Sequence, residues 1–458
     1  MLALLLLAPV VADAPPPDLV FVLSDDHRSD FLGCAGHPFL QTPHIDALAE
    51  RGVRFDNAFV TTSICAASRA TILTGLYEKT HQFTFGTPPI AAEYAADSYP
   101  ARLKAAGYRT GFVGKFGVAI GGGMNMGGGG DASAMFDSVR VLGRNPYYKP
   151  QPDGTLRHVT DIAGDASAAF IRDVPNGTPL CLSLSFNAAH AEDADKQRQY
   201  PYPFAEAGLY THEDVPEPLV SRDFWKELPE FFHDAMHRQR YAWRWDTPQK
   251  YAMNYRNYCR LLTGLDRNVG RVIEALELSG RLDNAVVIFM GDNGYYAGSR
   301  GFAGKWSHHE ESLRVPLVVC DFRAEQQGRV SDAVALNVDI APTLLDYAGV
   351  ETPGRYQGAS LRPLVEDESA ASSHADFYIE HRMDHPDIPK YEGVREGRFK
   401  YARYTENTDA EFGGQFLHDL TADPQERTNL AGDPAYQSEL RRLRDRTDEL
   451  TEKYAEAR

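Results

Sequence analysis

Short runs of consecutive apolar residues recur along the chain, and each is bounded by turn-forming residues. The five clearest runs are Leu19–Ser24, Tyr108–Val113, Leu180–Phe186, Ala285–Met290 and Val315–Cys320. Their apolar positions are continuous rather than alternating, which is typical of strands that are covered on both faces. Each run is therefore predicted to be a buried β-strand.

Segments with helical spacing lie between these runs. We predict helices over Ile45–Arg51, Ser68–Leu73, Ser98–Ala106, Asp161–Asp173 and Asn257–Leu278. In the last segment apolar residues recur at helical spacing, which gives the helix one apolar face. Strands that alternate with helices indicate an α/β fold, in which a mostly parallel, doubly wound sheet is flanked by helices.

The pattern changes after residue 365. A polar stretch, EDESAASSHAD, precedes the strand-like pieces DFYIEH and REGRFKYARYT, and a charged helix is predicted near Tyr436–Ala455. We expect a large domain over residues 15–365 and a smaller C-terminal α+β subdomain over residues 366–458, built from a short antiparallel sheet plus a helix. The glycine-rich segment Gly121–Gly130 is expected to be a loop, since no Gly-Lys-Ser/Thr follows it as in a phosphate-binding loop.

The N-terminal sequence, MLALLLLAPVVADA, has the length of a signal-peptide core and is too short to span a membrane. Ala12-Asp13-Ala14 resembles a signal-peptidase site, although no basic residue precedes the apolar stretch and Pro15 follows directly. We interpret residues 1–14 as a signal-peptide remnant and expect a periplasmic or secreted protein. A truncated start or an error in the gene model is the alternative. No other apolar run has the roughly 20 residues that a transmembrane helix needs.

Composition narrows the class of protein. The 458 residues include 47 Lys+Arg and 64 Asp+Glu, which gives a formal net charge of −17. This balance argues against a nucleic-acid-binding protein, because such proteins neutralise phosphates with Lys and Arg. Five scattered cysteines are too few for a disulfide framework or a zinc cluster. Net charge describes the whole surface, so an anionic substrate in a locally cationic site is not excluded.

Two polar pairs follow two of the predicted strands. Asp25-Asp26 comes directly after the first strand, and Asp292-Asn293 comes shortly after the fourth. Ligand sites in open α/β sheets lie at the carboxyl ends of strands, so the two pairs could meet at one point. Each pair alone is also compatible with a helix cap or a tight turn. Together they offer only oxygen ligands, which select a hard cation such as Ca²⁺ or Mg²⁺.

Cys65 lies at or just before the start of a predicted helix. Backbone N–H groups and the helix dipole favour an anion at such a position. Arg69 lies one turn further on the same face, where its guanidinium could bind anionic oxygens. A single cysteine near an arginine is nevertheless more often a buried thiol.

The segment Cys65-Ala66-Ala67-Ser68-Arg69, followed by Leu73-Thr74-Gly75, resembles the signature of the type I (formylglycine-dependent) sulfatase family, Cys-x-Pro-Ser-Arg with a later Leu-Thr-Gly. This family belongs to the alkaline-phosphatase-like superfamily. Other segments are similar to its further motifs, in the same order: Ser24-Asp25-Asp26-His27, Gly114-Lys115, Asn187-Ala188-Ala189-His190, Gly291-Asp292-Asn293-Gly294 with Lys305, Arg314-Val315-Pro316 and His418-Asp419-Leu420. The likeness covers most of the chain.

The resemblance implies a sulfuric ester hydrolase whose large domain is catalytic. It implies that a maturase oxidises Cys65 to formylglycine and that the hydrated aldehyde is the nucleophile. The implied metal ligands are Asp25, Asp26, Cys65, Asp292 and Asn293, with Ca²⁺ expected rather than Mg²⁺. The implied catalytic residues are Cys65, Arg69, Lys115, His190 and Lys305, and either His190 or Lys305 would protonate the leaving alcohol.

The sequence departs from the family pattern in two segments. Ala67 replaces the usual proline, which leaves open which maturase accepts this segment. Lys115 is followed by Phe116-Gly117 rather than Trp-His, so the histidine that ordinarily contacts the formylglycine is missing. His81 and the pair His308-His309 are candidates to replace it.

The substrate is less directly encoded. Residues 190–255 are rich in aromatic, histidine and arginine residues, which either bind sugar rings and anionic groups or form a lid that packs on its own core. His381, Arg382 and Arg395 are predicted to border the same site and bind substrate. We expect a sulfated saccharide derived from a polysaccharide. One alternative is an enzyme of the same superfamily that hydrolyses phosphoesters or phosphonate monoesters. The other is a protein without catalytic activity that binds sulfated glycans.

Overall fold

The computed structural model describes residues 15–121, 132–325 and 328–457. The predicted signal-peptide remnant over residues 1–14, and residues 122–130 of the glycine-rich segment, lie outside the described residues.

The strands are β1 Asp18–Ser24, β2 Val53–Phe55, β3 Ala58–Phe59, β4 Arg109–Gly114, β5 Ser138–Val141, β6 Tyr148–Pro150, β7 Leu156–His158, β8 Leu180–Ser185, β9 Ala285–Gly291, β10 Leu317–Asp321, β11 Arg329–Ser331, β12 Ala335–Leu336, β13 Asp376–His381, β14 Tyr391–Glu396, β15 Phe399–Tyr404 and β16 Gln415–Asp419. The α-helices are α1 Pro43–Arg51, α2 Cys65–Thr74, α3 Glu78–His81, α4 Ala92–Ala96, α5 Tyr99–Ala105, α6 Val159–Asp173, α7 Met236–Arg244, α8 Pro248–Leu278, α9 Glu310–Leu313, α10 Ile340–Tyr347, α11 Arg362–Glu366 and α12 Gln437–Glu456.

The central sheet has eight strands in the order β11-β2-β10-β9-β1-β8-β4-β5. Five of its seven neighbouring pairs are parallel, and the other two arise because β10 runs antiparallel to both β9 and β2. All five strands predicted from apolar runs are present in this sheet. The prediction of a mostly parallel α/β sheet is confirmed.

The central strands are buried on both faces, as their continuous apolar sequence predicts. Along β1, Leu19, Phe21 and Leu23 pack into one hydrophobic cluster. The intervening Val20 and Val22 pack into a second cluster on the opposite face. Because side chains alternate along a strand, one apolar run contributes to both layers. Helices α2, α5 and α10 contribute to the first cluster, and α1, α6 and α8 to the second.

The C-terminal part is a four-stranded antiparallel sheet, β13-β14-β15-β16, with α12 packed on it. This confirms the predicted α+β character of the smaller part. Its apolar residues belong to the same cluster as one face of the central sheet, and Phe377 contacts Phe59 with ring centroids 5.2 Å apart. At its edge Glu380 N donates to Thr61 O at 2.9 Å, which ties β13 to the segment that leads into α2.

The cysteines are all free, so no disulfide stabilises this fold. Among residues 15–121, 132–325 and 328–457, no helix combines the length and apolar character that crossing a membrane would require.

Candidate active site

Four adjacent parallel strands bring polar residues to one edge of the central sheet. In the order β9, β1, β8 and β4, their carboxyl ends lead to Asp292, Asp25, His190 and Lys115. These positions are far apart in sequence, yet parallel neighbours end at the same side of a sheet. The structure therefore brings together the residues that the motifs pointed to.

The closest junction lies between the ends of β1 and β9. Asp26 N donates to Asp292 Oδ1 at 3.2 Å, and Asn293 Nδ2 donates to Asp26 Oδ1 at 2.8 Å. Asp26 adopts a left-handed backbone conformation with φ 54°, which turns the chain sharply as it leaves the sheet. All four residues of the two pairs, Asp25 included, are fully buried.

The loop after β8 places His190 next to these carboxylates. Asp25 N donates to Ala188 O at 2.8 Å and Ala189 N donates to Asp25 O at 2.7 Å, so the loop is fixed to the end of β1. His190 Nδ1 lies 2.7 Å from Ala191 O, a carbonyl that can only accept, and Nε2 faces Asp26 Oδ2 at 3.7 Å. Burial holds the pKa of His190 well below its usual range, and nearby arginine and lysine charges act in the same direction.

Helix α2 presents the nucleophile candidate from the other side. Cys65 is its first residue and is only 4% exposed. One turn later, Arg69 contacts Asp292 Oδ2 through Nε at 2.9 Å and Nη2 at 2.7 Å. Arg69 Nη1 also donates to Lys115 O at 2.6 Å and to Ser185 Oγ. Arg69 thus fixes the start of α2 against the ends of β9, β8 and β4.

Each of the two predicted lysines pairs with a different carboxylate. Lys115 Nζ donates to Asp25 Oδ2 at 2.5 Å, and Lys305 Nζ donates to Asp26 Oδ1. Burial alone would raise the pKa of Asp25, but the charges of Lys115 and Lys305 outweigh it and lower that pKa to about 2. Burial likewise disfavours the charged form of Lys305, yet Asp26 keeps the lysine pKa above its ordinary value. The site is therefore a compact set of alternating charges.

The oxygen atoms of this set fit a hard divalent cation. Asp25 Oδ1, Asp26 Oδ2 and Asn293 Oδ1 are buried and have no hydrogen-bond partner. Buried oxygens are normally satisfied, so three such atoms in one place indicate a ligand that protein atoms do not supply. Ligand atoms of Asp25, Cys65 and Asp292 also lie within 4.8 Å of one another. Carboxylate and amide oxygens favour Ca²⁺ or Mg²⁺ over softer metals.

Glycine occupies the position of the missing histidine. Gly117 has φ 73°, and a Cβ atom there would lie 3.2 Å from Arg69 Cδ. The backbone is thus in the left-handed region, where a side chain is strained, and the space beside it is taken by the arginine.

The three histidines proposed as replacements make their polar contacts elsewhere in the described part of the chain. His81 is bound between Thr71 Oγ1 and Phe83 N, near the far end of α2. His308 contacts Tyr404 Oη at 2.9 Å and His418 Nε2 at 3.2 Å, and His309 contacts Tyr296 Oη at 2.6 Å. Their side chains therefore stabilise neighbouring segments, and none of these contacts involves Cys65.

The predicted substrate-binding residues of the C-terminal part fall into different environments. His381 is fully buried with both ring nitrogens unpartnered, and it stacks on Tyr391 at 6.2 Å. Arg382 lies near Glu78, where its charge opposes the rise in that carboxyl pKa that burial causes. Arg395 pairs with Glu310 at 3.3 Å and lies over the Phe59 ring. Arg395 thus fixes the C-terminal sheet to the large domain rather than facing the carboxylates of the site.

The aromatic segment over residues 190–255 packs largely on the second hydrophobic cluster, which it shares with one face of the central sheet. Six of its buried rings belong to that cluster: Tyr200, Tyr210, Tyr241, Trp245, Tyr251 and Tyr255. These rings take part in core packing rather than forming an exposed row that could stack on sugars.

Sequence reasoning missed a group of charged residues beside His190. Asp193, three residues further on, accepts from Arg144 Nη2 at 3.1 Å and from Arg244 Nη2, and it lies 3.4 Å from Arg240 Nη2. The proximity of Asp193 to the histidine motif was a usable signal. Nothing in the sequence around Arg144, in the loop after β5, or around Arg240, in α7, resembles a motif.

Comparison with known families gives an independent assignment. The sequence model described as Sulfatase matches residues 17–350. A second model, described as N-sulphoglucosamine sulphohydrolase, C-terminal, matches residues 298–453. Together they span nearly all of the described chain.

Individual relatives agree with these matches. The chain is 27% identical to an N-acetylglucosamine-6-O-sulfatase of Bacteroides thetaiotaomicron, over 96% of this chain and 87% of that protein. It is 26% identical to an arylsulfatase of Clostridium perfringens, over 93% of each protein.

Solved structures share the fold at lower identity. The structure of BT4656 in complex with its substrate D-glucosamine-2-N,6-O-disulfate superposes with a TM-score of 0.82 at 24% identity, covering 96% of this chain and 98% of that one. The phosphonate monoester hydrolase of Agrobacterium radiobacter superposes with a TM-score of 0.80 at 22% identity, covering 96% of each chain. Because the Sulfatase family model covers most of the chain, this protein belongs to the sulfatase family.

Proposed function

We propose that this sulfatase hydrolyses a sulfate ester on a sulfated saccharide and uses Cys65, converted to formylglycine, as its nucleophile. Membership of the family makes the chain a sulfuric ester hydrolase. The observation that supports the assignment of the site is the convergence of Cys65, three buried carboxylates and two lysines at the carboxyl ends of adjacent strands.

The saccharide substrate is supported by two relatives. One is named as an N-acetylglucosamine-6-O-sulfatase, and the substrate bound in BT4656 is a disulfated glucosamine. The cationic side chains around the site in this chain suit an anionic substrate despite the acidic net charge, because the nearest charges dominate over screened distant ones.

We propose that Asp25, Asp26, Asp292 and Asn293 hold a Ca²⁺ ion, because Asp25, Asp26 and Asn293 each have an unpartnered buried oxygen and Asp292 adds a carboxylate within 4.8 Å of the Asp25 ligand atom. When bound, such an ion lowers the pKa of a coordinated hydroxyl and neutralises charge on the sulfuryl oxygens. Formylglycine at position 65 would supply, in its hydrated form, the hydroxyl that attacks sulfur.

The basic side chains of the site bind and orient the sulfate group. Lys115 is 15% exposed, and its pair with Asp25 fixes its position and leaves two N–H groups for another acceptor. Arg69 Nη2 is buried with no hydrogen-bond partner, although it lies 2.7 Å from Asp292 Oδ2. Both groups can therefore donate to sulfuryl oxygens as negative charge develops on them, which is the stabilisation that preorganised donors provide.

The leaving alcohol needs a proton, and the hydrogen bonds of Lys305 and His190 support different roles for these two candidates. Lys305 Nζ donates one proton to Asp26 and keeps two for the leaving oxygen. His190 donates through Nδ1 to Ala191 O, so its Nε2 is an acceptor until it takes up a proton. We therefore propose Lys305 as the group that holds the proton before reaction and His190 as the group that can receive one.

We propose export to the periplasm or the medium, a catalytic domain over residues 15–365 and a C-terminal subdomain over residues 366–458. A formylglycine-generating maturase that accepts Ala67 in place of proline is the partner that the proposed nucleophile requires.

Mass spectrometry of the tryptic peptide that contains Cys65, after co-expression with a maturase, tests the nucleophile. We expect an aldehyde at position 65 in the active protein and no activity in Cys65→Ala. Turnover of 4-nitrophenyl sulfate should exceed that of 4-nitrophenyl phosphate and of a phenyl phosphonate monoester. A fully active protein with an unmodified thiol would exclude the mechanism, and faster turnover of the phosphorus esters would favour the phosphonate monoester hydrolase alternative.

A further inference from the structure

Three arginines converge on one carboxylate beside the catalytic group. Asp193 contacts Arg144, Arg240 and Arg244 with its two carboxylate oxygens. A single carboxylate neutralises one guanidinium, so positive charge is in excess at this place. Partial burial lowers the pKa of Lys196, and the charges of Arg244 and Arg240 act in the same direction, so this lysine lies close to the same group of positive charges.

Two of the three arginines are occupied by protein groups. Arg244 is fully buried and is bound by Asp193, by Gln199 Oε1 at 2.6 Å and by Tyr295 Oη at 3.4 Å. Arg144 donates through Nε to Ala191 O at 3.1 Å and through Nη2 to Asp193. Both guanidiniums therefore fix the loop that follows His190.

Arg240 differs from them because most of its donors are unused. Its Nε and Nη1 atoms are buried and have no hydrogen-bond partner, and its Nη2 is 3.4 Å from Asp193 Oδ2. The plane of the guanidinium is supported by Trp306, whose ring centroid is 4.8 Å from Arg240 Cζ. A buried charged donor without a partner is costly, and burial together with the charge of Arg244 lowers the pKa of Arg240. An anion bound at Nε and Nη1 would remove that cost.

Trp306 also connects Arg240 to the catalytic group. Lys305 Nζ, which pairs with Asp26, is 5.7 Å from the centroid of the same indole ring. On the opposite side, the Arg144 contact with Ala191 O places the arginine group next to His190. The unused N–H groups of Arg240 thus lie next to the region where the reacting sulfate would bind.

We propose that Arg240, positioned by Asp193 and Trp306, binds a second anionic group of the substrate. The ligand class is a sugar that carries a sulfate, sulfamate or carboxylate in addition to the sulfate ester that is cleaved. The planar fork of arginine suits the paired oxygens of all three groups. This inference rests on the proposed function, and it adds a specificity residue that makes a doubly anionic sugar the preferred substrate.

The test compares two sugars that differ in one charge. Glucosamine-2-N,6-O-disulfate carries two anionic groups, and N-acetylglucosamine 6-O-sulfate carries one. The ratio of kcat/KM for the first over the second is measured for the unmodified sequence, for Arg240→Gln and for Arg238→Gln. Arg238 is the matched control, because it lies in the same helix but over Trp225 and donates to Gly301 O at 2.9 Å.

We expect the ratio to favour the disulfated sugar and to fall by about 10- to 100-fold in Arg240→Gln, the loss typical of one charge-assisted hydrogen-bond pair. The loss should be in KM rather than in kcat, because Arg240 does not contact the reacting sulfate. Arg238→Gln should leave the ratio unchanged. An unchanged ratio in Arg240→Gln, or an equal fall in both variants, would overturn the proposal.

A binding measurement separates this proposal from the proposed function. Titration calorimetry with glucosamine-2-N,6-O-disulfate, and with a uronate-containing disaccharide of N-acetylglucosamine 6-O-sulfate, is performed on Cys65→Ala and on Cys65→Ala with Arg240→Gln. Weaker binding of either ligand by the double variant supports the subsite, and the ligand affected distinguishes a second sulfate from a carboxylate. Equal binding of both ligands by the two proteins refutes it. Absence of any sulfate ester turnover by the matured protein would count against the proposed function alone.

Discussion

Ser24 at the end of β1 and Gly291 at the end of β9 are register partners in adjacent parallel strands. The two polar pairs therefore leave the sheet at the same level, and Asp26 N reaches Asp292 Oδ1 at 3.2 Å. A side chain at position 291 would meet His27 O and Pro316 Cδ, both 3.1 Å from a Cβ atom placed there. Because the two strand ends approach so closely, Asp25-Asp26 and Asp292-Asn293 form a single structural unit.

Calcium is expected to stabilise the protein through this unit. At a Ca²⁺ concentration about 100 times the dissociation constant, binding adds about 2.7 kcal/mol to the free energy of unfolding. Asp292→Asn should abolish that gain, measured as the difference in Tm between Ca²⁺ and EDTA. Asp30→Asn is the control, because Asp30 pairs with Arg28 and is half exposed. An equal gain in both variants would contradict the assigned ligands, and a larger gain with Mg²⁺ would contradict the choice of ion.

Arg69→Lys is expected to reduce kcat/KM for 4-nitrophenyl sulfate by about 100-fold or more. A lysine cannot reproduce the simultaneous contacts of Arg69 with Asp292, Lys115 O and Ser185, so the start of α2 loses its orientation. Arg362→Lys, a partly exposed arginine paired with Asp346 and Glu366, serves as the control and should keep its activity. Activity of Arg69→Lys within threefold of the unmodified sequence would refute the role.

Gly117→Ala is expected to lose both stability and activity, whereas Gly154→Ala should lose stability alone. Both glycines have positive φ, 73° and 82°, so alanine costs about 1 kcal/mol of unfolding free energy at each. Only at Gly117 does the added methyl group approach Arg69, whose Cδ would be 3.2 Å away. Urea denaturation and kcat/KM measured on both variants check this prediction. Equal activity in the two variants would show that Arg69 tolerates the contact.

The buried carboxyl groups of Glu78 and Glu380 should make the stability of the protein depend on pH. Both are fully buried, each has one oxygen without a hydrogen-bond partner, and burial raises the pKa of both carboxyl groups above 4.5. Repulsion from Glu78 raises the pKa of Glu380 further. Because the folded state holds protons that the unfolded state releases, stability should fall as the pH rises from about 4.5 through the raised pKa values, about 7 for Glu78 and about 8 for Glu380.

Glu380→Gln should flatten this dependence by about 3 kcal/mol between pH 5 and pH 8, because its pKa of about 8 makes most of that interval count at roughly 1.4 kcal/mol per pH unit. Urea midpoints at the two pH values provide the measurement. Glu449→Gln, in which an exposed carboxylate is removed, is the control and should keep the original slope. A slope in Glu380→Gln that equals that of the unmodified sequence would exclude the buried pair as its source.

Much of the candidate active site can be predicted from local patterns in the sequence. Continuous apolar runs locate the strands, and parallel neighbours end on one side of a sheet, so the sequence alone indicates that Asp25 and Asp292 could meet. The opposite direction of β10 was not predictable, because an apolar run has no direction and only the connection across the sheet sets it. The first turns of α8, from Pro248, were also missed, since aromatic residues there obscure the helical spacing.

Residues that lie outside recognisable motifs could not be assigned to the site from the sequence. Arg144 and Arg240 reach the site through long-range packing around Asp193, and such packing leaves no periodic signal in the sequence. Arg395 shows the reverse case. The sequence predicts that it borders the site and binds substrate, yet its guanidinium contacts Glu310 and the Phe59 ring.

The enclosure of Cys65 has a consequence for the order of events during biosynthesis. The segment before it is bound by residues made much later, since Glu380 N donates to Thr61 O at 2.9 Å and Trp306 N donates to Ser63 O at 3.3 Å. Once those downstream segments are in place, Cys65 is 4% exposed. Any enzyme that oxidises it must therefore act while the ribosome is still delivering the second half of the chain, or on a chain that has not yet closed. The rate of folding then sets the time available for activation.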